Sequence, residues 1–186
     1  MAYLNDKAFS EILKTVSIYP ISSEKIGDVS RFSFQSKNGK EYEEFLEREA
    51  KNLDKLAISK TFLVIHNKTD ELIAYFTLSA DTVKLTQDER NDSDLANVKF
   101  QSLPAIKIGK LAVNKKLSKE VARKGYGSFV LDIANTYAYE VLKAGVACRF
   151  LTVDADIEYS QTTPDFYAKM DLKGIKHVNK NPLTKQ

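Results

Sequence analysis

The stretch from Ala105 to Val130, AIKIGKLAVNKKLSKEVARKGYGSFV, constrains the fold of this chain more than any other. Ile106 and Ile108 alternate onto one face of a strand. Leu111 and Val113 also share a face, but the phase has slipped by one residue at Gly109-Lys110. A glycine at a phase slip predicts a β-bulge, which frees backbone groups from the ladder; a strand buried on both faces is the alternative. The strand runs into a basic loop that closes with Gly125-Tyr126-Gly127. Phe129, Val130, Ile133, Ala134, Tyr137, Ala138, Val141 and Leu142 then form one apolar helix face, and Gly145 ends the helix as its C′ residue. A strand feeding a glycine-rich helix N-terminus builds a phosphate cradle from backbone N–H groups, with the helix dipole directed at the anion. The segment therefore predicts an enzyme with a phosphorylated cofactor.

The remaining elements follow from periodicity. Phe9, Ile12, Leu13 and Val16 carry a helical pattern over residues 1–20. Asn38 with Glu41 reads as a capping box, and Tyr42, Phe45, Leu46, Ala50, Leu53 and Ala57 recur behind it at helical spacing. The acids Glu41, Glu43, Glu44, Glu47 and Glu49 between them read as a solvated face. Thr61 to His66 and Leu72 to Ala80 are β-rich runs around a polar break, an antiparallel hairpin. Asp88 to Asp94 reads as an exposed loop, and Cys148 to Val153 as a buried strand. Thr163 is an N-cap, with Pro164 at the first position of a short helix carrying Phe166 and Tyr167. A last strand is expected from Leu172 to Val178. This order predicts an α/β or α+β domain around one mixed sheet.

Composition narrows the class. The chain has 186 residues, 43% hydrophobic and 28% charged, as expected for one globular domain with a real core. No apolar run approaches the ~18 residues of a membrane span, and MAYLNDKAFSEILK lacks the order of a secretion signal. The single cysteine, Cys148, rules out an internal disulfide and suits a reducing compartment, so a cytoplasmic location is expected. It reads as a small apolar residue and not a nucleophile. His66 and His177 have no carboxylate or cysteine at metal-ligand spacing, and no metal is expected. The net charge of +3 is modest, but Lys107, Lys110, Lys115, Lys116, Lys119, Arg123 and Lys124 crowd one segment against a single acid, Glu120. Such a cluster attracts phosphates; a solvated lysine-rich loop is the alternative for Lys115, Lys116 and Lys119.

From Phe34 to Val178 the chain resembles the GCN5-related N-acetyltransferases (GNAT). The cofactor motif of that family, Arg/Gln-x-x-Gly-x-Gly/Ala opening a helix after a bulged strand, falls on Ala122-Arg123-Lys124-Gly125-Tyr126-Gly127. More specifically, the chain is similar to the branch that includes the tRNA-acetylating toxins of toxin–antitoxin pairs. Phe34 followed by FLEREA (Phe45 to Ala50), SKTFLV (Ser59 to Val64), IAYFTLSA (Ile73 to Ala80), LPAIKIGKLAV (Leu103 to Val113) and PDFYAKM (Pro164 to Met170) carry the similarity. Two positions depart from the pattern. Ala122 stands where the family has Arg or Gln, and Asp171-Leu172 stands where it has Gly-Phe after the tyrosine helix.

The resemblance implies a single GNAT-like domain over 1–186, with an N-terminal extension (1–33), a core (34–178) and a polar tail (179–186). Its sheet would be mixed, mostly antiparallel and flanked by helices. It implies acetyl-CoA as co-substrate. The backbone of Arg123, Lys124, Gly125, Tyr126, Gly127 and Ser128 would hold the pyrophosphate, and Leu111, Ala112 and Val113 would pair with the pantetheine arm. The Tyr126 ring would either cover the cofactor or lie at the surface. It implies Tyr167 as the proton donor, a primary amine as acceptor (aminoacyl-tRNA in the toxin branch) and an antitoxin protein as partner. A homodimer is compatible with it, as is a non-catalytic module that binds nucleic acid or a partner protein.

Overall fold

The computed structural model describes residues 5–23, 29, 32–34, 39–91, 93–153 and 166–167. Among them, five strands form one sheet in chain order: β1 (Val16–Pro20), β2 (Lys60–His66), β3 (Leu72–Lys84), β4 (Ser102–Val113) and β5 (Phe150–Val153). β1 to β4 pair antiparallel, and β5 joins β4 in parallel. The helices are α1 (Asp6–Leu13), α2 (Lys40–Glu44), α3 (Ala50–Lys55), α4 (Gln87–Asn91) and α5 (Tyr126–Lys143). A π-helical turn, Phe45–Glu49, joins α2 to α3.

Strand alternation sends side chains to two cores. Phe62 and Val64 of β2, Ala74 and Phe76 of β3, and Ile106 and Ile108 of β4 pack under α1 and α5, against Ile12, Phe129, Val130 and Ile133. Leu63, Tyr75 and Ala112 point the other way and pack under the α2–α3 segment, against Tyr42, Phe45, Leu46 and Ala50. Tyr75 is fully buried there, and its hydroxyl donates to the Tyr42 carbonyl at 2.9 Å. Burial drives its phenol pKa far above the ordinary tyrosine range.

The predicted hairpin and long helix are present, and Gly145 ends α5 with φ 90°. Leu142, placed on the apolar face by periodicity, is 40% exposed. Other elements depart from expectation. The first helix stops at Leu13, and Val16 begins an edge strand paired with β2. Residues read as an N-terminal extension thus supply Ile12 and Val16 to the main core. Asn5 caps α1, accepting from the Ala8 N–H at 2.8 Å. The α2 N-cap is Gly39 without a side-chain bond; Asn38 lies outside the described residues. So do Thr163, Pro164, Asp171 and the expected strand 172–178.

The expected loop at 88–94 instead contains much of α4, and its Arg90 is buried. The Arg90 guanidinium donates to the carbonyls of Val98 (2.9 Å), Phe100 (2.6 Å) and Gln101 (3.0 Å), pinning the return to β4.

Asn114, just past β4, is a second buried polar anchor. Its Nδ2 donates to the Leu72 carbonyl at 2.8 Å, and its Oδ1 accepts from the N–H groups of Ser33 (3.1 Å) and Lys116 (2.9 Å). It ties the sheet, the 32–34 segment and the basic loop to one side chain. Asn114→Ala leaves all three groups without this partner, so urea denaturation should report a loss of about 3 kcal/mol.

Candidate active site

The loop between β4 and α5 is held by polar contacts and one apolar plug. The Glu71 carboxylate accepts from the Ser118 N–H at 2.8 Å and from its hydroxyl at 2.6 Å. The Ser118 carbonyl accepts from the N–H groups of Val121 (3.1 Å) and Ala122 (2.8 Å). Val121 is buried, and its carbonyl accepts from the Tyr126 hydroxyl at 2.9 Å. The Tyr126 ring is therefore neither a cofactor cover nor a surface group. It is a core residue, 3% exposed, and burial raises its pKa.

Gly125 enters α5 at φ 97°, a left-handed conformation that glycine adopts without steric cost. The first helical bond of α5 runs from the Phe129 N–H to the Gly125 carbonyl at 2.9 Å. The N–H groups of Tyr126, Gly127 and Ser128 precede that ladder and lie at the positive end of the helix dipole.

The bulge sits where the phase slip predicted it. Phe76 is register partner of Leu111, and Leu78 of Ile108, so Thr77 alone faces Gly109 and Lys110. Among the described residues, the last pair between β4 and β5 is Ile108 with Val153. The N–H of Lys110 points to β3, donating to the Thr77 hydroxyl at 2.8 Å, and the N–H of Asn114 also points there, donating to the Ile73 carbonyl at 2.7 Å. By strand alternation the N–H and C=O of Ala112 face β3 too, and those of Leu111 and Val113 face the opposite edge. Of the three expected pantetheine partners, Ala112 is thus occupied in the sheet, with its side chain in the second core.

Phe166 and Tyr167 pack against the main core, with ring centroids 5.3 Å apart. Phe166 reaches over the start of α5, where a Cβ on Gly127 would stand 3.7 Å from its Cζ.

The basic cluster divides. Lys110 crosses to the α2 side, bonds Glu41 at 2.6 Å and lies 4.7 Å from the Tyr42 ring centroid. Arg123 sits 3.9 Å from Glu11 of α1. Lys115, Lys116, Lys119 and Lys124 are exposed around the loop. Glu43, read as solvated, accepts from the Phe34 N–H at 2.9 Å and from the Ser33 hydroxyl at 3.2 Å. Neither Glu43 nor Thr77 carries a sequence signal, because each acts on a group remote in the chain.

Among the described residues, no group of three His, Cys, Asp or Glu side chains is placed to hold a metal ion. His66 pairs through Nδ1 with the Thr69 hydroxyl at 3.0 Å. Cys148 is half-buried, its Sγ 3.2 Å from the Phe150 carbonyl. No described helix is long and apolar enough to cross a membrane.

No protein-family model matches the chain, and no curated protein matches it in sequence. Solved structures do match in shape. A mutant of KacT superimposes with a TM-score of 0.66 at 19% identity, over 84% of this chain and 85% of that one. AtaT complexed with acetyl-methionyl-tRNAfMet gives 0.64 at 16% identity, over 83% and 85%. A mutant AtaT toxin bound to acetyl-CoA and the C-terminus of the antitoxin AtaR gives 0.61 at 15% identity, over 86% of each. This chain has their fold, built on a mixed, mostly antiparallel sheet.

The Glu71 contact gives the loop a pH dependence. Bonds from Ser118 hold the Glu71 pKa below its ordinary 4.5. A lowered folded pKa means the stabilisation is complete above the ordinary value and disappears as pH falls through the folded one. Exchange protection of the Ser118 amide should be complete above pH 4.5 and be lost as the pH falls below it. Glu71→Gln should remove that pH dependence.

Proposed function

We propose that this chain is an N-acetyltransferase that takes acetyl-CoA as donor and acetylates the α-amine of an aminoacyl-tRNA. One observation carries the donor assignment. The edge of β4 that faces away from β3 at Leu111 and Val113 leads through the loop to the N–H groups that precede the α5 ladder. A ligand with an anionic end and an amide-bearing arm suits such a run of backbone groups.

The residues fit acetyl-CoA part by part. Backbone N–H groups from Arg123 to Ser128 would hold the pyrophosphate, and they need no side chain, which makes Ala122 tolerable. Leu111 and Val113 would pair with the pantetheine amides as an added strand does. An N–H on the same edge would hold the negative charge that develops on the carbonyl oxygen. Acetyl-CoA brings an acyl group already activated as a thioester, so a covalent enzyme intermediate is unnecessary. Tyr167 would donate its phenolic proton to the departing sulfur; phenol and thiol pKa values, about 10 and about 8.5, are close enough for that transfer.

An α-amine titrates near about 7.8, so an appreciable fraction is already the neutral nucleophile at neutral pH. The tRNA acceptor is supported by the exposed lysines at 115, 116, 119 and 124 and by the shared fold with AtaT, which has been captured with acetyl-methionyl-tRNAfMet. The antitoxin-bound form of AtaT supports an antitoxin partner here. We take the acetyltransferase domain to begin at α1, since α1 and β1 complete its core and sheet.

Calorimetric titration with acetyl-CoA tests the donor, and absence of binding at millimolar ligand overturns the reading. Labelled acetyl transfer to charged tRNA, protein and small amines tests the acceptor. Gly127→Ala separates cradle from fold. Its Cβ would make only ordinary contacts with Phe166, at 3.7 and 3.8 Å, so the melting temperature should hold. Acetyl-CoA affinity should fall by about tenfold or more, since the backbone can no longer approach the phosphates closely. Tyr167→Phe should lower kcat by about a hundredfold with acetyl-CoA binding unchanged. An unchanged rate would remove Tyr167 from the mechanism.

A further inference from the structure

We infer that Thr77 is a positioning residue, whose buried hydroxyl holds the β4 bulge and thereby sets which backbone groups face the acyl donor. The inference rests on the donor reading above. Thr77 is 2% exposed, in the middle of β3. Its Oγ1 accepts from the Lys110 N–H at 2.8 Å, in the place where a carbonyl of a regular ladder would stand. The register shift between Phe76 and Leu78 falls on this one residue.

The bulge has consequences on both sides of the strand. Adding one residue to an alternating strand exchanges the face taken by every later side chain and the edge taken by every later N–H. With the bulge, Leu111 and Val113 pack into the main core while their N–H groups face the edge away from β3. Without it, their side chains would turn toward the aromatic cluster of Tyr42, Phe45 and Tyr75, and their N–H groups toward β3.

Gly109 supplies the room for this arrangement. A Cβ there would stand 3.0 Å from the Thr77 hydroxyl, tighter than ordinary contact. The hydroxyl and the glycine thus work as a pair: one bonds the displaced N–H, and the other leaves space for the bond. Valine has nearly the same shape as threonine but cannot accept the Lys110 N–H, so Thr77→Val isolates the hydroxyl.

Amide exchange and acetyl-CoA calorimetry on the full chain, for wild type, Thr77→Ser and Thr77→Val, test the inference. The Lys110 amide should be protected in wild type and in T77S, and T77V should lose at least about tenfold of that protection. Acetyl-CoA should bind T77S within about threefold of wild type and T77V at least about tenfold more weakly, with melting temperatures that do not account for the difference. A Lys110 amide that exchanges freely in the wild type overturns the inference even if T77V fails to fold. Equal acetyl-CoA binding by T77V and wild type overturns it, as does T77S behaving like T77V. Loss of acetyl-CoA binding in the wild type overturns the donor reading instead, and the exchange arm still decides whether Thr77 holds the bulge.

Discussion

The hydrogen bond from the Lys110 N–H to the Thr77 hydroxyl is the point on which the two halves of this molecule depend. β4 must serve two cores. Up to Ile108 it is an interior strand, paired with β3 on one side and β5 on the other. Beyond the bulge it stays paired with β3. The edge of β4 facing away from β3 leads through the basic loop to the N–H groups that open α5.

The surrounding contacts hold that junction from outside. Asn114 fastens the strand end to Leu72 and to the 32–34 segment. Glu71 reaches from the β2–β3 turn to Ser118 and sets the path of the basic loop. Tyr126 plugs the loop into the main core and bonds back to Val121. Lys110 is held twice, by its N–H and, through its side chain on the α2 side of the sheet, by Glu41 and the Tyr42 ring. These partners come from distant parts of the chain, so the loop is shaped by the assembled sheet.

The elements with a strong local signal were legible before any coordinates. The eighteen-residue helix α5, the β2–β3 hairpin and the Gly109-Lys110 slip each follow from periodicity or from a glycine at a break in it. The edge strand β1 was hidden because Val16 also completes a helical pattern begun at Phe9. Short α4 was hidden by a run of charged residues, and the burial of Arg90 among carbonyls has no sequence signature. In the candidate site, the glycines and the β4 segment were legible. The roles of Ala112 and Tyr126 were not, since either residue could face either way until the register was set.

The sequence by itself determined the repeating patterns: which residues alternate, where the alternation slips, and where glycine permits a left-handed turn into a helix. Those are consequences of local sterics and of side-chain period, and they travel with the chain. Only the tertiary structure decided the pairing of a slip in β4 with a hydroxyl in β3, the parallel docking of β5 on β4 and the turning of Tyr126 into the core. Each depends on contacts between residues far apart in sequence, where burial and an unmet hydrogen bond, rather than local preference, set the outcome.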